Sequence, residues 1–577
     1  MNLLKRIFFD RQVFVLCRGA LAVKAILYSL RRFQAHALFA LICLIALILR
    51  LFHLSHQSVW FDEIASLTSA LQPTVWKVIE TTLITERIPP AYPVFLHFWT
   101  GLFGFSELWI RLPSALFGLM TVPVVYCIAK LYFDHRIAII SSFLLAVSPF
   151  HVWHSQEARC ITMMTLLNLL SIFLFLRLMK AEKEFPSFLY WLYFSATVLA
   201  LCTYYLSILT VLAQNVVFAV HWRKNRKNGA RWVLAQASIL LLCGAPLLVL
   251  LVNQILYGHQ MHFGGSTGND TFTSIYGYLL GEFGENDALV QSSFSRLLSL
   301  TAARLNVDPV HAGVFLLGEI PFSFGSGLAF INRPPYYWNK VFVAFFVVPC
   351  SLLFAVLIIR GIHAIRDQRS SPLLVFLTVP IIGVLMIKLL GLRPVFARHA
   401  MQSLPIAYLY IALALASLKN RLLKVSVFCA LILILALSLL GNYFDNRVFK
   451  DDWRYVTSHV ISRLAENDFI VFHGEYVKAS FYYYIYTNPR NQRVWAEKAP
   501  DGVEVRGRDG SLNQFVNRDW QRLLAGKENI WVVTYYATEG EKQLLASLWG
   551  ESYMLTMRNC DLGKNLCFES YRRLHGI

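Results

Sequence analysis

Residues 35–52 read AHALFALICLIALILRLF, and a few positions later stand Trp60-Phe61-Asp62-Glu63. The apolar run is close to the roughly 20 residues a helix needs to cross a hydrocarbon core. Lys5, Arg6, Arg11, Arg18, Lys24, Arg31 and Arg32 precede it, so the bias of basic residues toward the inner side predicts a cytoplasmic 1–34 segment. His53-Leu54-Ser55-His56-Gln57 follows the run and offers no small-residue cleavage site, which predicts a retained first helix rather than a signal peptide.

Asp62 and Glu63 then lie at a membrane boundary. A carboxylate near hydrocarbon costs about 2.5 kcal/mol or more at a helix centre and less toward the interface, so such acids tend to line a wet cavity or a substrate path. Alone, the pair can simply mark a soluble loop. Glu157, a further acid that the topology brings to the same side, argues for the cavity. In an extended segment the two neighbours point to opposite faces, which predicts unequal roles.

Composition sets the class. Of 577 residues 56% are hydrophobic and 15% charged, with mean hydropathy +0.51, which reads as an integral membrane protein with roughly eleven helices between residues 35 and 441. The net charge of +19 sits in short loops between apolar runs rather than on one basic face with interleaved aromatics, so no nucleic-acid partner is expected.

Placing 55–111 outside sets the topology, with Tyr92–Phe105 as an interfacial helix. Spans are expected at 112–133, 137–150, 161–178, 188–204, 206–221, 232–254, 341–359, 373–390, 400–418 and 425–440. Every basic cluster, including Arg223-Lys224-Asn225-Arg226-Lys227, then falls on one side. Residues 256–340 form a second outer segment, with Gly264-Gly265-Ser266-Thr267-Gly268 and the aromatic cluster Arg333-Pro334-Pro335-Tyr336-Tyr337-Trp338. Such a long segment serves as a lid or as a plain connector. Residues 442–577 read as a soluble α/β unit on the outer face, with strands at Phe469–Phe472 and Ile530–Val533 and helices at Trp453–Leu464 and Asp519–Leu524. Cys560 and Cys567, the only tail cysteines, fit a hairpin disulfide in an oxidising compartment.

Chemistry-bearing residues on the outer side are Asp62, Glu63, Glu86, Arg87, His151, His154, Gln156, Glu157, Arg159, Tyr204, Tyr205, Arg393, Arg398 and His399. Pro89-Pro90-Ala91-Tyr92, Leu96-His97-Phe98-Trp99, Leu102-Phe103-Gly104, Arg111-Leu112-Pro113-Ser114-Ala115, Ser148-Pro149-Phe150-His151 and Ser155-Gln156-Glu157-Ala158-Arg159 accompany them. With Asp62-Glu63, this combination resembles the protein O-mannosyltransferase-like and aminoarabinose-transferase-like glycosyltransferases over about residues 55–205. The resemblance implies a polytopic C-type fold and transfer of a sugar from a polyprenyl-phosphate carrier to an acceptor on the outer face, in a bacterial inner membrane. It also implies Asp62 as the catalytic acid of the first loop, with Glu157 beside it. Two positions depart from the family: Arg87-Ile88 stands before the Pro-Pro turn, and Arg398-His399 replaces an Arg-Tyr pair.

Read from the residues, a departing polyprenyl phosphate wants cations beside it and the acceptor hydroxyl wants a base. Asp62 supplies the base, with Glu63 and Glu157 as further catalytic candidates. Arg159 and Arg398 are candidate phosphate clamps, since guanidinium forks match phosphate oxygens; interfacial anchoring is their bland alternative. Arg87, Tyr92, His151, Gln156 and Tyr205 complete the expected substrate-binding set. The spacing His151-x-x-His154-x-x-Glu157 lies near one helix face, and Asp62 with Glu157 offers oxygen ligands, so Mg²⁺ or Mn²⁺ is a candidate cofactor. A transporter or lipid flippase would instead want ionisable groups near the bilayer midplane in both halves. A structural scaffold would not need the boundary acids.

Overall fold

The computed structural model describes residues 34–86, 88–181, 184–244, 348–364, 371–389, 397–444, 450–473, 477–498, 501–505, 520–535, 539–549, 552–560 and 566–574. Arg87, Arg393, the segment 256–340 and most of 1–34 lie outside them.

The membrane part starts with α1 (Gln34–Leu51). Four helices follow: α2 (Phe61–Ala70), α3 (Val75–Thr85), α4 (Ala91–Phe103) and α5 (Glu107–Tyr132). Next come α6 (His135–Ala146), α7 (Pro149–Ser155), α8 (Ile161–Met179), α9 (Ser187–Thr203) and α10 (Ile208–Val220). Further helices run over Gly229–Ile239, Val348–Ala364, Ser371–Leu389, Leu404–Ser417 and Arg421–Phe444. Each expected apolar segment therefore carries a helix. Among the described residues, however, five helices are long and apolar enough to cross a membrane, or seven if each of two bent pairs is one span. The chain is an integral membrane protein, predominantly helical.

Two glycines let helices approach where a side chain would not fit. A Cβ on Gly361 would sit 1.9 Å from the Tyr410 carbonyl oxygen, and one on Gly118 would sit 2.1 Å from Ser155 Oγ. The second contact seats α7 against α5. Ser148 caps α7 by accepting from the His151 N–H (3.4 Å), and Pro149 occupies its first turn, where a missing N–H costs nothing. The chain bends 56° between α6 and α7, which carries the 154–159 segment toward α2. α4 is short, and Phe98 and Leu102 are exposed on it.

The tail builds a five-stranded sheet in the order β2-β1-β3-β5-β4, with β1 at Phe469–His473, β2 at Asp501–Val505, β3 at Asn529–Tyr535, β4 at Tyr553–Asn559 and β5 at Leu566–Arg573. β1 is parallel to β2 and β3, and β5 is antiparallel to β3 and β4. Alternation along the strands serves two cores. Phe469, Val471, Ile530 and Val532 pack with Trp520, Leu545 and Trp549 on one face. Ile470, Phe472, Trp531, Val533 and Tyr535 pack with Trp453 and Phe481 on the other. That second core is continuous with Val59, Ile64, Leu67 and Ile110 of the first loop and α5, so the tail sits directly over the helix carrying Asp62. Cys560 and Cys567 are joined by a disulfide.

Candidate active site

α2 begins at Phe61, so Asp62 and Glu63 lie in the first turn of a helix rather than in an extended stretch. Successive side chains diverge there by about 100° instead of 180°. Each acid still enters a separate set of charges.

Glu63 is fully buried and saturated. Arg111 grips it with two bonds, Nε to Oε1 and Nη2 to Oε2, both 2.8 Å. Ala158 N–H donates to Oε1 (2.9 Å), Trp60 N–H to Oε2 (3.3 Å) and Lys450 Nζ to Oε2 (3.1 Å). Arg111 uses its remaining protons on the carbonyls of Leu54, Gln57 and Ser58. Burial by itself would raise the Glu63 carboxyl, but Arg111 and Lys450 outweigh it and bring it down to about 2. Lys450 also reaches Glu157 Oε1 at 3.9 Å and lies over the rings of Trp60 and Trp153, a site that suits an ammonium between two indoles. Glu157 accepts from Trp153 Nε1 (2.8 Å) and pairs with His154 Nδ1 (2.9 Å). Burial pushes the Glu157 carboxyl up, and His154 and Lys450 more than offset it.

Asp62 is half-buried, 17% exposed, and among the described residues its carboxylate has one partner, Arg398 Nη1, at 2.9 Å from Oδ2. Its backbone carbonyl accepts from Arg159 Nη1 (2.9 Å). Arg159 also donates to Ser66 Oγ (2.8 Å) and pairs with Glu86. Burial would raise the Asp62 carboxyl, yet the Arg398 and Arg159 charges hold it below the usual carboxylate range. For Glu86 burial wins over Arg159, and its carboxyl is pushed up. Arg398 lies in the short helix Ala397–Ser403. The next residue, His399, stacks on Tyr204 (5.7 Å between centroids), which in turn stacks on Tyr205 (4.7 Å) and donates its hydroxyl to that of Tyr205 (3.4 Å). Tyr92 is fully buried behind Arg159: its hydroxyl meets Ser114 Oγ (3.2 Å), which donates to the Arg159 carbonyl (3.2 Å).

Two expected substrate contacts face elsewhere. His151 is buried between Arg50 Nη2 (2.8 Å) and Thr121 Oγ1 (3.0 Å), and Gln156 Nε2 donates to the carbonyls of Leu49, Arg50 and Phe52, closing the end of α1. Of His151, His154, Glu157 and Asp62, His154 and Glu157 meet each other, while His151 and Asp62 engage partners outside the set. Among the described residues no group of three or more His, Cys, Asp or Glu side chains is placed to hold a metal ion.

Sequence reasoning missed Arg50 and Lys450. Arg50 is fully buried in α1 and donates to the Ala46 and Ala146 carbonyls; an arginine inside an apolar run was a visible signal. Lys450 lies early in the tail, with its partner Glu63 387 positions away.

Residues 87–250 match the family of dolichyl-phosphate-mannose-protein mannosyltransferases. The resemblance seen in the sequence motifs therefore holds over the stretch carrying Tyr92, Arg111, Glu157, Arg159 and Tyr205, while Asp62 and Glu63 precede the match. No curated protein matches the chain by sequence. Among solved structures, the archaeal oligosaccharyltransferase AglB from Archaeoglobus fulgidus, in complex with an inhibitory peptide and a dolichol-phosphate, is 14% identical, with 94% of this chain and 75% of that chain covered and a TM-score of 0.49. ArnT from Cupriavidus metallidurans bound to undecaprenyl phosphate is 13% identical, with 92% and 97% covered and a TM-score of 0.40. Both TM-scores lie below 0.5, and neither likeness carries weight on fold or chemistry.

Proposed function

We propose that this chain is a C-type membrane glycosyltransferase that moves a sugar from a polyprenyl-phosphate-linked donor to an acceptor hydroxyl on the outer face of a bacterial inner membrane, with Asp62 as general base. The family match over residues 87–250 supports the class, and the basic loops support the sidedness. Contacts of the tail with the first loop support putting both on the same face: Tyr484 donates to Glu107 (2.5 Å), Tyr483 to the Phe105 carbonyl (3.0 Å) and Arg454 to the Ser55 carbonyl (3.0 Å).

In the proposed reaction the acceptor oxygen attacks the anomeric carbon, the bond from that carbon to the phosphate oxygen breaks, and polyprenyl phosphate leaves as a dianion. The acceptor proton passes to the Asp62 carboxylate, so charge balances without protonating the leaving group. Arg398 and Arg159 face the developing negative charge. No step runs through a metal.

The observation that carries this reading is that Asp62 alone of the three expected catalytic acids has spare acceptor capacity and partial exposure, beside two guanidiniums. Glu63 and Glu157 are enclosed by fixed donors, which suits them to hold the site rather than to take a proton. The test is transfer from a polyprenyl-phosphate sugar by the purified chain. Absence of transfer by well-folded protein across the sugars of this donor class would refute the reading.

A further inference from the structure

We propose that the turn between α10 and the helix Gly229–Ile239 is a binding surface for anionic phospholipid headgroups, which seat on Arg223, Lys224, Arg226 and Lys227. This rests on the reading of the chain as spanning a bilayer with this turn at the inner surface, and it is independent of the chemistry at Asp62.

Charge makes the first argument. Between Glu184 and Asp270 the sequence holds five Lys or Arg and no Asp or Glu, and all five lie within residues 223–231. One of them is satisfied inside the protein: Arg231 pairs with Glu184 (2.9 Å) and donates to the Phe185 carbonyl (3.1 Å). The other four are exposed, and none of them forms an ion pair with a described residue. Four crowded like charges repel one another, so the turn is stabilised when the counter-charge comes from outside.

Local structure holds the four cations on one surface. The chain bends 84° here, through two short helices, Trp222–Asn225 and Arg226–Asn228. Asn225 and Asn228 are their buried members. Asn225 Nδ2 donates to the His221 carbonyl (3.2 Å), and Asn228 Oδ1 accepts from the Phe185 N–H (2.9 Å). With the asparagines tying the turn from within, the two Arg-Lys pairs are left outside. Apolar neighbours then decide the class of anion. Val220 at the end of α10 is 74% exposed, Trp222 48%, and Val233 and Leu234 in the next helix 62% and 63%. Such a surface suits hydrocarbon and is costly against water. Cations that border it, with a tryptophan at the boundary, lie where the phosphate layer of the same leaflet runs. A soluble polyanion would neutralise the charge and leave the apolar surface wet.

The test places the full chain in phosphatidylcholine nanodiscs doped with a trace of photoactivatable phosphatidylglycerol or, at equal mole fraction, photoactivatable phosphatidylcholine, and maps the cross-links by peptide mass spectrometry. In wild type the anionic probe is expected to label residues 218–234 about fivefold more than the zwitterionic one. Raising salt from about 0.1 M to about 1 M shortens the screening length from about 10 Å to about 3 Å and is expected to remove most of that preference. Arg223→Gln with Lys224→Gln, and separately Arg226→Gln with Lys227→Gln, are each expected to lose about half of it or more, with the remaining pair still marking the inner side. Equal labelling of wild type by the two probes overturns the proposal without any variant. A preference that neither salt nor either double variant alters also overturns it, by assigning the effect to something other than these charges. Labelling of 218–234 by neither probe contradicts the placement of the turn at a headgroup layer and removes the proposal with it.

Discussion

Asp62 and Glu63 share one helical turn and differ in how completely their surroundings enclose them. Glu63 is sealed among Arg111, Lys450, Trp60 N–H and Ala158 N–H; Asp62 has Arg398 and an open side. A carboxylate whose lone pairs are all occupied holds elements together, and one with unused capacity near cations can accept a proton. On the proposed reading, the pair separates framework from chemistry across a single peptide bond.

The strongest way to break this contrast is to remove Glu63 or Arg111. Glu63→Ala and Arg111→Met are each expected to cost about 3–5 kcal/mol, because each leaves the other charge buried and alone; thermal unfolding in detergent reads this. Stability near that of wild type for either would deny the framework role.

Lys450→Met comes next. It leaves two buried carboxylates short of a donor, which is expected to cost about 1–3 kcal/mol and to loosen the tail, seen as faster proteolysis between the last span and Trp453. Lys450→Arg should retain most of the stability. Equal tail cleavage in wild type and Lys450→Met would uncouple the tail from this network.

Acid sharpens the comparison further. The Glu63 carboxyl sits at about 2 in the fold against an ordinary 4.5, so its contribution to stability is present above about 4.5 and is lost as pH falls toward 2. Asp62 is shifted in the same direction. Unfolding midpoints followed through that window should fall steeply for wild type and more shallowly for Glu63→Gln, which has no proton to take up. Parallel curves would contradict the assignment.

The smallest stability effect is expected at the catalytic candidate. Asp62→Asn removes a partly exposed pair worth about 1 kcal/mol or less. A loss as large as that of Glu63→Ala would make Asp62 a framework residue too.

What the sequence made legible was local. The β1 and β3 runs, the opening tail helix and the apolar segments follow from periodicity, and Asp62-Glu63 stood out because acids are costly at a membrane boundary. That the two side chains meet different partners was also foreseeable, although from the wrong geometry, since α2 is a helix from Phe61 onward. Contacts between distant segments were not legible. Nothing around Lys450 announces a partner in the first loop, nothing around Tyr484 points to Glu107, and the His151-x-x-His154-x-x-Glu157 spacing conceals that His151 turns to Arg50 while His154 turns to Glu157. Spacing fixes which residues share a helix face, not which neighbour meets each of them.

The most direct test of Asp62 as the base is single-turnover transfer from a polyprenyl-phosphate sugar by wild type and Asp62→Asn at matched folding and saturating donor. General-base catalysis is worth about 10²- to 10⁴-fold, so Asp62→Asn is expected to lose that much in rate while still holding the lipid donor. Near-normal turnover by Asp62→Asn would remove Asp62 from the chemistry and contradict the reading that spare acceptor capacity marks the base.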